Sequence, residues 1–223
     1  MLLMVPSMSR AGKQKIALLL MAAGSSSRLG QPKQLVEIAE KQEQPQSLLI
    51  KQIKLMNSIC SSTSAEAFCV LGFQHEELTA HLKNSQLPKQ PTLIINDNWS
   101  QGLSSSISKG VSALTLDISA VLVFLVDQWK ITPADVFQLI DAWKNEPEKI
   151  HIACKENRIS PPAIFPSSFF DELLTLTGDD GAKKVIKNNI DQVSFKTMPS
   201  AFFDLDTPQQ LKQLEEAKLV TSI

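Results

Sequence analysis

The chain has 223 residues, of which 43% are hydrophobic and 20% are charged, and its 22 basic residues almost balance its 23 acidic ones. A net charge of −1 gives no electrostatic reason to expect a nucleic acid or an anionic membrane as a partner. No apolar run approaches the roughly 18 residues that a membrane-spanning helix needs. This length predicts one globular domain over residues 15–223, after a flexible lead-in over residues 1–14.

Short apolar strands and amphipathic helices are predicted to alternate along the chain. In chain order we expect strand 16–21, helix 47–59, strand 67–71, helix 75–83, strand 92–95, helix 107–115, strand 120–126, helix 132–143, strands 151–154 and 162–165, helices 167–176 and 181–187, strand 193–198, and a last helix from Thr207-Pro208. The polar stretch 37–46 predicts an exposed turn, and Ser47 is expected to cap the first helix. Because strands separated by helices form βαβ units, the pattern predicts a Rossmann-like α/β fold with helices on both faces of a mostly parallel sheet, in three layers.

The cysteines and the amino terminus indicate the cellular compartment. Cys60, Cys69 and Cys154 are scattered and lack the spacing of metal ligands, and a sparse, odd set is typical of a reducing compartment. The amino terminus has its short apolar stretch before its positive charges, which is the reverse of a secretory signal. We therefore expect a cytoplasmic protein.

The loop after the first predicted strand, residues 22–33, has the composition of a phosphate-binding loop. In an open parallel sheet, ligands bind beyond the carboxyl ends of the strands. Gly24 is expected to adopt backbone angles closed to other residues, and the serines would let a phosphate approach the backbone amides. Arg28 and Lys33 add two cations. The loop fits neither the Walker pattern nor the dinucleotide fingerprint, and the alternative is a surface turn with incidental charges.

Five segments, in order along the chain, resemble the motifs of one enzyme family. Residues 23–33 follow A-G-x-S-x-R-x-G-x-x-K, and residues 96–107 follow N-x-x-W-x-x-G-[ML]-x-[ST]-S-[IL]. Asp127-Gln128 matches part of G-D-Q-P, residues 177–182 match T-G-D-x-G-A, and residues 204–208 match D-x-D-T-P. With these motifs the chain resembles the molybdenum cofactor cytidylyltransferase family, within the MobA-like NTP transferase superfamily.

The resemblance implies a fold, a reaction and a set of site residues. The fold would be a single domain of the nucleotide-diphospho-sugar transferase type, and the reaction would transfer CMP from CTP to the phosphate of a molybdopterin-type cofactor with release of pyrophosphate. Asp127 and Asp206 would hold Mg²⁺, while Arg28, Lys33 and Asp127 would be catalytic. The nucleotide would contact Ala22, Ala23, Gly24, Ser25, Ser26, Arg28, Lys33, Gly102, Ser105 and Ser106. The guanylyl branch prefers Ala-Gly-Gly where this chain has Ala-Ala-Gly at residues 22–24, which favours CTP, and a molybdoenzyme would be the client.

The chain also departs from the family pattern, and the departures leave alternatives open. Val126 and Trp129 replace the glycine and the proline of G-D-Q-P, and residues 159–162 (Ile-Ser-Pro-Pro) replace R-G-[HN]-P on the pterin side. One alternative is a nucleotidyltransferase for another phosphorylated acceptor, such as a sugar phosphate. The other is a non-catalytic nucleotide-binding or cofactor-insertion protein of the same fold. From the residues alone, Asp127 also fits a strand-ending turn, Asp206 a helix cap, and residues 102–106 a capped helix start.

Overall fold

The structure, a computed structural model, describes residues 14–39 and 44–216. The strands are β1 Ile16–Ala22, β2 Glu37–Ile38, β3 Gln46–Ser47, β4 Ala65–Leu71, β5 Thr92–Ile95, β6 Ala120–Leu125, β7 Ile150–Lys155, β8 Arg158–Pro166 and β9 Val193–Thr197. The helices are α1 Leu48–Ser62, α2 His75–Lys83, α3 Leu103–Ser112, α4 Pro133–Asn145, α5 Phe170–Leu174, α6 Lys183–Asn188 and α7 Pro208–Glu216. The predicted lead-in over residues 1–14 lies, apart from Gln14, outside the described residues. Within the ranges described, no helix is both long and apolar enough to cross a membrane.

Seven strands form one central sheet in the order β5-β4-β1-β6-β8-β7-β9. β1 pairs in parallel with β4 and β6, β4 pairs in parallel with β5, and β7 pairs in parallel with β9. Only β8, among these seven, runs against its neighbours, because it pairs antiparallel with both β6 and β7. The predicted mostly parallel sheet is therefore confirmed.

The side chains of β1 point alternately to the two faces of the sheet, and each face carries its own apolar core. Leu18 and Leu20 pack on the face covered by α1, α2 and α4. Leu19 and Met21 pack on the opposite face, which α3, α5 and α6 cover. Because every residue of β1 is buried, the apolar run in the sequence has no polar alternation. The predicted three-layer α/β arrangement is confirmed.

The start of α1 was predicted correctly, whereas α3 begins at Leu103, four residues before its predicted start, and the polar stretch before α1 was predicted wrongly in part. Ser47 caps α1, since its hydroxyl accepts a hydrogen bond from the amide of Ile50 at 3.2 Å. The prediction of an exposed turn over residues 37–46 is wrong at its start, where β2 pairs antiparallel with β3 and Ile38 is only 2% exposed. A two-residue strand with one inward side chain leaves no periodic signal in a sequence.

The strand order determines where a ligand can enter. The chain passes from β1 to β4 and β5 on one side, and then returns to β6 on the other side of β1. This reversal separates the connections that leave the carboxyl ends of β1 and β6, and a crevice opens between them. The candidate site lies in that crevice.

Candidate active site

A cleft of about 490 Å³ lies at the carboxyl ends of β1 and β6. It brings together five parts of the chain: the loop after β1, the start of α3 with the segment before it, the end of β6, the segment before α6 and the segment before α7. The predicted site residues that line it are Ala22, Ala23, Gly24, Ser25, Ser26, Arg28, Lys33, Gly102, Ser106, Asp127 and Asp206. Ser105 does not line it.

The loop after β1 presents its backbone amides to the cleft. Within the described residues, the amides of residues 24–28 donate no hydrogen bond to a protein acceptor. Gln34, which is 1% exposed, instead binds the loop carbonyls: its Nε2 donates to the oxygens of Ala22 at 2.8 Å and Gly24 at 2.9 Å. The hydroxyl of Ser26 accepts from the amide of Lys33 at 3.1 Å and closes the loop. Unpaired amides around a concave opening are the chemistry of an anion site.

Gly24 has a different reason for being glycine than the one predicted. Positive φ angles in this loop occur at Ser26, with φ 55°, and at Gly30, with φ 78°, rather than at Gly24. A Cβ built on Gly24 would meet no atom within 4 Å, so it would project into open space. The expectation of special backbone angles is therefore wrong, and the space itself is the feature that a phosphate group would use.

We expect Gly24→Ala to leave the free energy of unfolding unchanged, because the added methyl group meets no protein atom. The same methyl group would occupy the approach to the loop amides and lower the affinity for a nucleoside triphosphate about tenfold, which corresponds to about 1.4 kcal/mol. Isothermal calorimetry with a non-hydrolysable triphosphate and a urea melt would measure the two effects. An unchanged dissociation constant would contradict the assignment of this loop.

Lys33 joins the two predicted metal-binding aspartates. Its Nζ lies 2.6 Å from Asp127 Oδ2 and 2.6 Å from Asp206 Oδ1, and its side chain is 15% exposed. Burial acts to lower the pKa of Lys33, but the charges and hydrogen bonds of Asp127 and Asp206 outweigh burial, so the pKa lies above its usual value. The Asp127 side chain is 10% exposed, and its Oδ1 is buried without a partner. Asp127 is therefore not an ordinary exposed turn residue.

The helix cap beside Asp206 is Thr207. The hydroxyl of Thr207 accepts from the amide of Gln210 at 3.3 Å, and Gln210 Oε1 accepts from the amide of Thr207 at 2.9 Å. This reciprocal pair caps the start of α7. The carboxylate of Asp206 faces the cleft instead, where Arg28, 77% exposed, approaches its Oδ2 at 3.9 Å. The cap explanation for Asp206 does not hold.

Asp204 is a third carboxyl group beside this pair. Burial raises the pKa of Asp204 to about 6, and the charges of Asp127 and Asp206 act in the same direction. Since its pKa is raised above the usual 3.8, the folded chain holds this proton more tightly than the unfolded chain does. The stability associated with the protonated form is complete below 3.8 and is lost as the pH rises through about 6.

We therefore expect Asp204→Asn to raise the free energy of unfolding at pH 8 by about 1 kcal/mol, a figure already reduced for solvent screening of a partly exposed group. The difference should disappear at about pH 3, below both pKa values, where Asp204 is protonated in both states. Urea unfolding in EDTA at both pH values measures it, with the exposed Asp141→Asn as the control. Equal stability of the wild type and Asp204→Asn at pH 8 would refute the expectation.

The serine-rich segment before α3 is organised by Asn96, a residue without an assigned role in the motif. Asn96 Nδ2 donates to the hydroxyls of Ser105 and Ser106, at 3.0 Å each. The Ser105 hydroxyl donates to the carbonyls of Asn98 and Gly102, so it serves the local backbone. Gly102 has a φ of 96°, and a Cβ there would collide with the Asp179 carboxylate. Of the predicted site residues in this segment, Gly102 and Ser106 line the cleft, and Trp99, Ser100 and Leu103 line it with them.

Gln128 also acts at the site without having been predicted. Its side chain is fully buried, and its Nε2 donates to Ser160 Oγ at 3.1 Å and to the carbonyls of Pro161 and Ala201. These bonds join the turn after β6 to β8 and to the segment before α7. Val126 and Trp129, the departures beside it, are 4% exposed each and belong to the apolar core. Val126 also lines the cleft beside Asp127, whereas Trp129 does not line it, and neither substitution displaces Asp127.

A second cavity of about 220 Å³ adjoins the cleft and shares Leu103, Leu125 and Asp179 with it. Its remaining walls are mainly apolar and include Ile159 and Pro161, where the chain departs from the family pattern. Asp180 and Lys183 also line it. A molecule held here would have its nearest end next to the nucleotide cleft.

Comparisons with known proteins give relatives for this arrangement. The purine catabolism protein PucB of Bacillus subtilis (strain 168) is 25% identical over 206 residues, which cover 88% of this chain and 94% of that protein. The crystal structure of an Rv0371c homolog from Mycobacterium sp. strain JC1 has a TM-score of 0.74 at 23% identity, over 91% of this chain and 96% of that one. The crystal structure of Rv0371C of Mycobacterium tuberculosis in complex with manganese has a TM-score of 0.66 at 19% identity, over 92% of this chain and 99% of that one. At these identities the two structures show a common fold. The model of the MobA-like NTP transferase domain family matches residues 18–193, and the chain belongs to that family.

Proposed function

We propose that the chain transfers CMP from CTP to the phosphate of a molybdopterin-type acceptor and releases pyrophosphate. The observation that carries the transferase assignment is the cleft itself, in which free loop amides face two carboxylates, one buried and one half-buried, that a lysine bridges. Membership of an NTP transferase family supports the same reaction class. The choice of CTP rests on the Ala22-Ala23-Gly24 sequence, and that of the acceptor rests on the resemblance of the motifs.

The residues present fit a divalent cation. Asp127 and Asp206 converge on one point, and Asp127 Oδ1 is a buried oxygen without a partner. In residues 14–39 and 44–216, no group of three His, Cys, Asp or Glu side chains is placed to hold a metal. Mg²⁺ commonly takes only one or two carboxylates and completes its shell with phosphate and water. We propose that Asp127 and Asp206 hold Mg²⁺, which when bound would neutralise charge on the triphosphate. That Rv0371C has been solved with manganese supports a divalent cation in this fold.

The chain's own residues would bind and align the triphosphate. An acceptor phosphate oxygen attacks the α-phosphorus, the bond to the bridging oxygen of the β-phosphate breaks, and pyrophosphate leaves with the bonding electrons. The amides of residues 24–28 would bind the triphosphate, Arg28 would neutralise the leaving pyrophosphate, and Lys33 would reach the α-phosphate. Gly102 and Ser106 line the same cleft from the side of α3 and would contact the base and ribose.

A different phosphorylated acceptor is the second candidate, and the adjoining cavity favours it. The cavity is largely apolar, and the hydroxyl of Ser160 in its wall is already bonded to Gln128. A pterin ring brings several hydrogen-bonding groups, and a buried polar group without a partner costs free energy. An acceptor with fewer polar groups would bind the Ile159 and Pro161 surface without that cost.

We propose a cytoplasmic location for both candidate functions, since the three cysteines are free thiols.

One experiment separates the candidates. The purified protein is incubated with Mg²⁺, molybdopterin and each of the four nucleoside triphosphates in turn, and released pyrophosphate is measured. We expect release with CTP and molybdopterin together, and none when either is omitted. Release with CTP and a different phosphomonoester, but not with molybdopterin, would favour the second candidate. Tight triphosphate binding without release for any acceptor would refute a transferase and indicate a nucleotide-binding or cofactor-insertion protein.

A further inference from the structure

The position between Asp127 and Asp206 is already occupied by a cation of the chain itself. Lys33 Nζ lies at 2.6 Å from an oxygen of each carboxylate, although the three residues are far apart in the sequence. Charge-assisted hydrogen bonds of this length are strong. The lysine ammonium therefore sits where two carboxylates would otherwise bind a metal ion.

A single ammonium does not satisfy this group of side chains. Asp127 Oδ1 and Asp204 Oδ1 are both buried without a hydrogen-bond partner. Of the two oxygens of Asp127, Lys33 contacts only Oδ2. Three carboxyl groups lie around one buried lysine, and Arg28 reaches the group only from the exposed rim at 3.9 Å. A buried carboxylate oxygen without a donor is costly, and a divalent cation would relieve that cost with more charge than an ammonium carries.

The ammonium and a metal ion exclude each other at this position. Mg²⁺ and its oxygen ligands lie about 2.0–2.1 Å apart, so a metal ion bound to Asp127 Oδ2 and Asp206 Oδ1 leaves no room for an ammonium on the same two oxygens. Two cations at such separations also repel strongly in a partly buried site. For a metal to bind at these two oxygens, Lys33 must leave both aspartates.

We propose that Lys33 is the counter-ion of Asp127 and Asp206 in the nucleotide-free protein, where it bridges the two carboxylates. When the triphosphate binds, a divalent cation replaces the Lys33 ammonium between them. The released ammonium then meets the α-phosphate, so one lysine stabilises two states of the cleft in turn. This inference rests on the proposed function for the identity of the incoming anion. Metal and nucleotide bind as a coupled pair, because the metal must displace Lys33 and the phosphates provide the ammonium with a new partner.

The coupling predicts that replacing Lys33 changes the affinity for the metal in a direction that the loss of an ordinary supporting contact would not produce. Without nucleotide, Lys33 competes with the metal, and its removal should strengthen metal binding. A residue that only supported the site's shape would weaken metal binding when replaced. The sign of the change in metal affinity therefore distinguishes the proposal from a structural role.

The test measures Mn²⁺ binding by electron paramagnetic resonance in the absence of any nucleotide. We compare the wild type, Lys33→Met, which keeps most of the length of the side chain and removes the charge, and Lys54→Met, which removes a charge from the exposed face of α1. The dissociation constant for Mn²⁺ should fall at least ~10-fold in Lys33→Met, because a competing like charge is gone. It should stay unchanged in Lys54→Met. An equal or weaker affinity for Mn²⁺ in a folded Lys33→Met protein overturns the proposal.

A second measurement uses the wild type, in case Lys33→Met does not fold. An amine-reactive ester labels the protein in EDTA and at increasing Mn²⁺, up to concentrations that saturate the wild type in the resonance titration, and mass spectrometry follows Lys33 with Lys54 as the internal reference. Labelling of Lys33 should rise with Mn²⁺ as the ammonium leaves the carboxylates. Labelling that stays constant relative to Lys54 overturns the proposal. Neither measurement contains a nucleotide or an acceptor, so failure of the transferase assay and failure of this exchange are separate results.

Discussion

Replacing Asp127 with asparagine is expected to lower the rate of nucleotidyl transfer by roughly 10³-fold or more, because the change removes a charge that would hold the metal on the triphosphate. Asparagine keeps the size and shape of the side chain, and Lys33 keeps its bond to Asp206 at 2.6 Å. The fold should therefore remain intact. Pyrophosphate release under saturating CTP, together with circular dichroism, measures both expectations.

The control for this prediction is Asp141→Asn, which removes a carboxylate from the exposed surface of α4. Its transfer rate should equal that of the wild type. If Asp127→Asn retained activity within tenfold of the wild type, Asp127 would not be a metal ligand in the reaction.

The second large effect is expected at Arg28, which we propose neutralises the leaving pyrophosphate. Arg28→Ala should reduce kcat about 10²- to 10³-fold, the usual loss for one electrostatic contact to a developing charge. Stability should not change, because the side chain is 77% exposed and its contact with Asp206 is 3.9 Å long. Arg28→Lys should recover only part of the rate, since an ammonium cannot make the forked contact of a guanidinium.

Arg158→Ala is the matched control for the second prediction. Arg158 stacks on Phe202 with its guanidinium carbon 5.5 Å from the ring centre, and it does not line the cleft. Its removal should change kcat less than tenfold. Equal losses in Arg28→Ala and Arg158→Ala would show that general positive charge, rather than the position of Arg28, supports the reaction.

The motifs predicted the family and the fold, and both predictions are confirmed. The reason is that each depends on local signals. β1 is a run of apolar residues buried on both faces, and Thr132-Pro133 forms a capping box with Asp135 at the start of α4. Such features depend on neighbours within a few residues, so they can be read along the chain.

Other features depended on contacts that no local pattern contains. Gln34 directly follows the first motif and Gln128 belongs to G-D-Q-P, and neither was given a role. Both are buried and hold the two sides of the site by hydrogen bonds to backbone carbonyls. Gly24 lies in the loop after β1, but it is not among the residues with a positive φ angle, and a Cβ there would meet only open space. Burial and empty space are properties of packed elements, so they emerge only when the layers are assembled.

The sequence by itself determined the succession of strands, helices and caps, together with the loop chemistry after β1, because propensity and periodicity act over short distances. Only the tertiary structure decided that Lys33 meets Asp127, 94 residues away, and Asp206, 173 residues away. That meeting follows from the strand order, which places the ends of β1 and β6 side by side and brings the segment before α7 over them. The pairing of Lys33 with the two aspartates is thus a consequence of the strand order, because the strand order brings together residues that are far apart in the sequence.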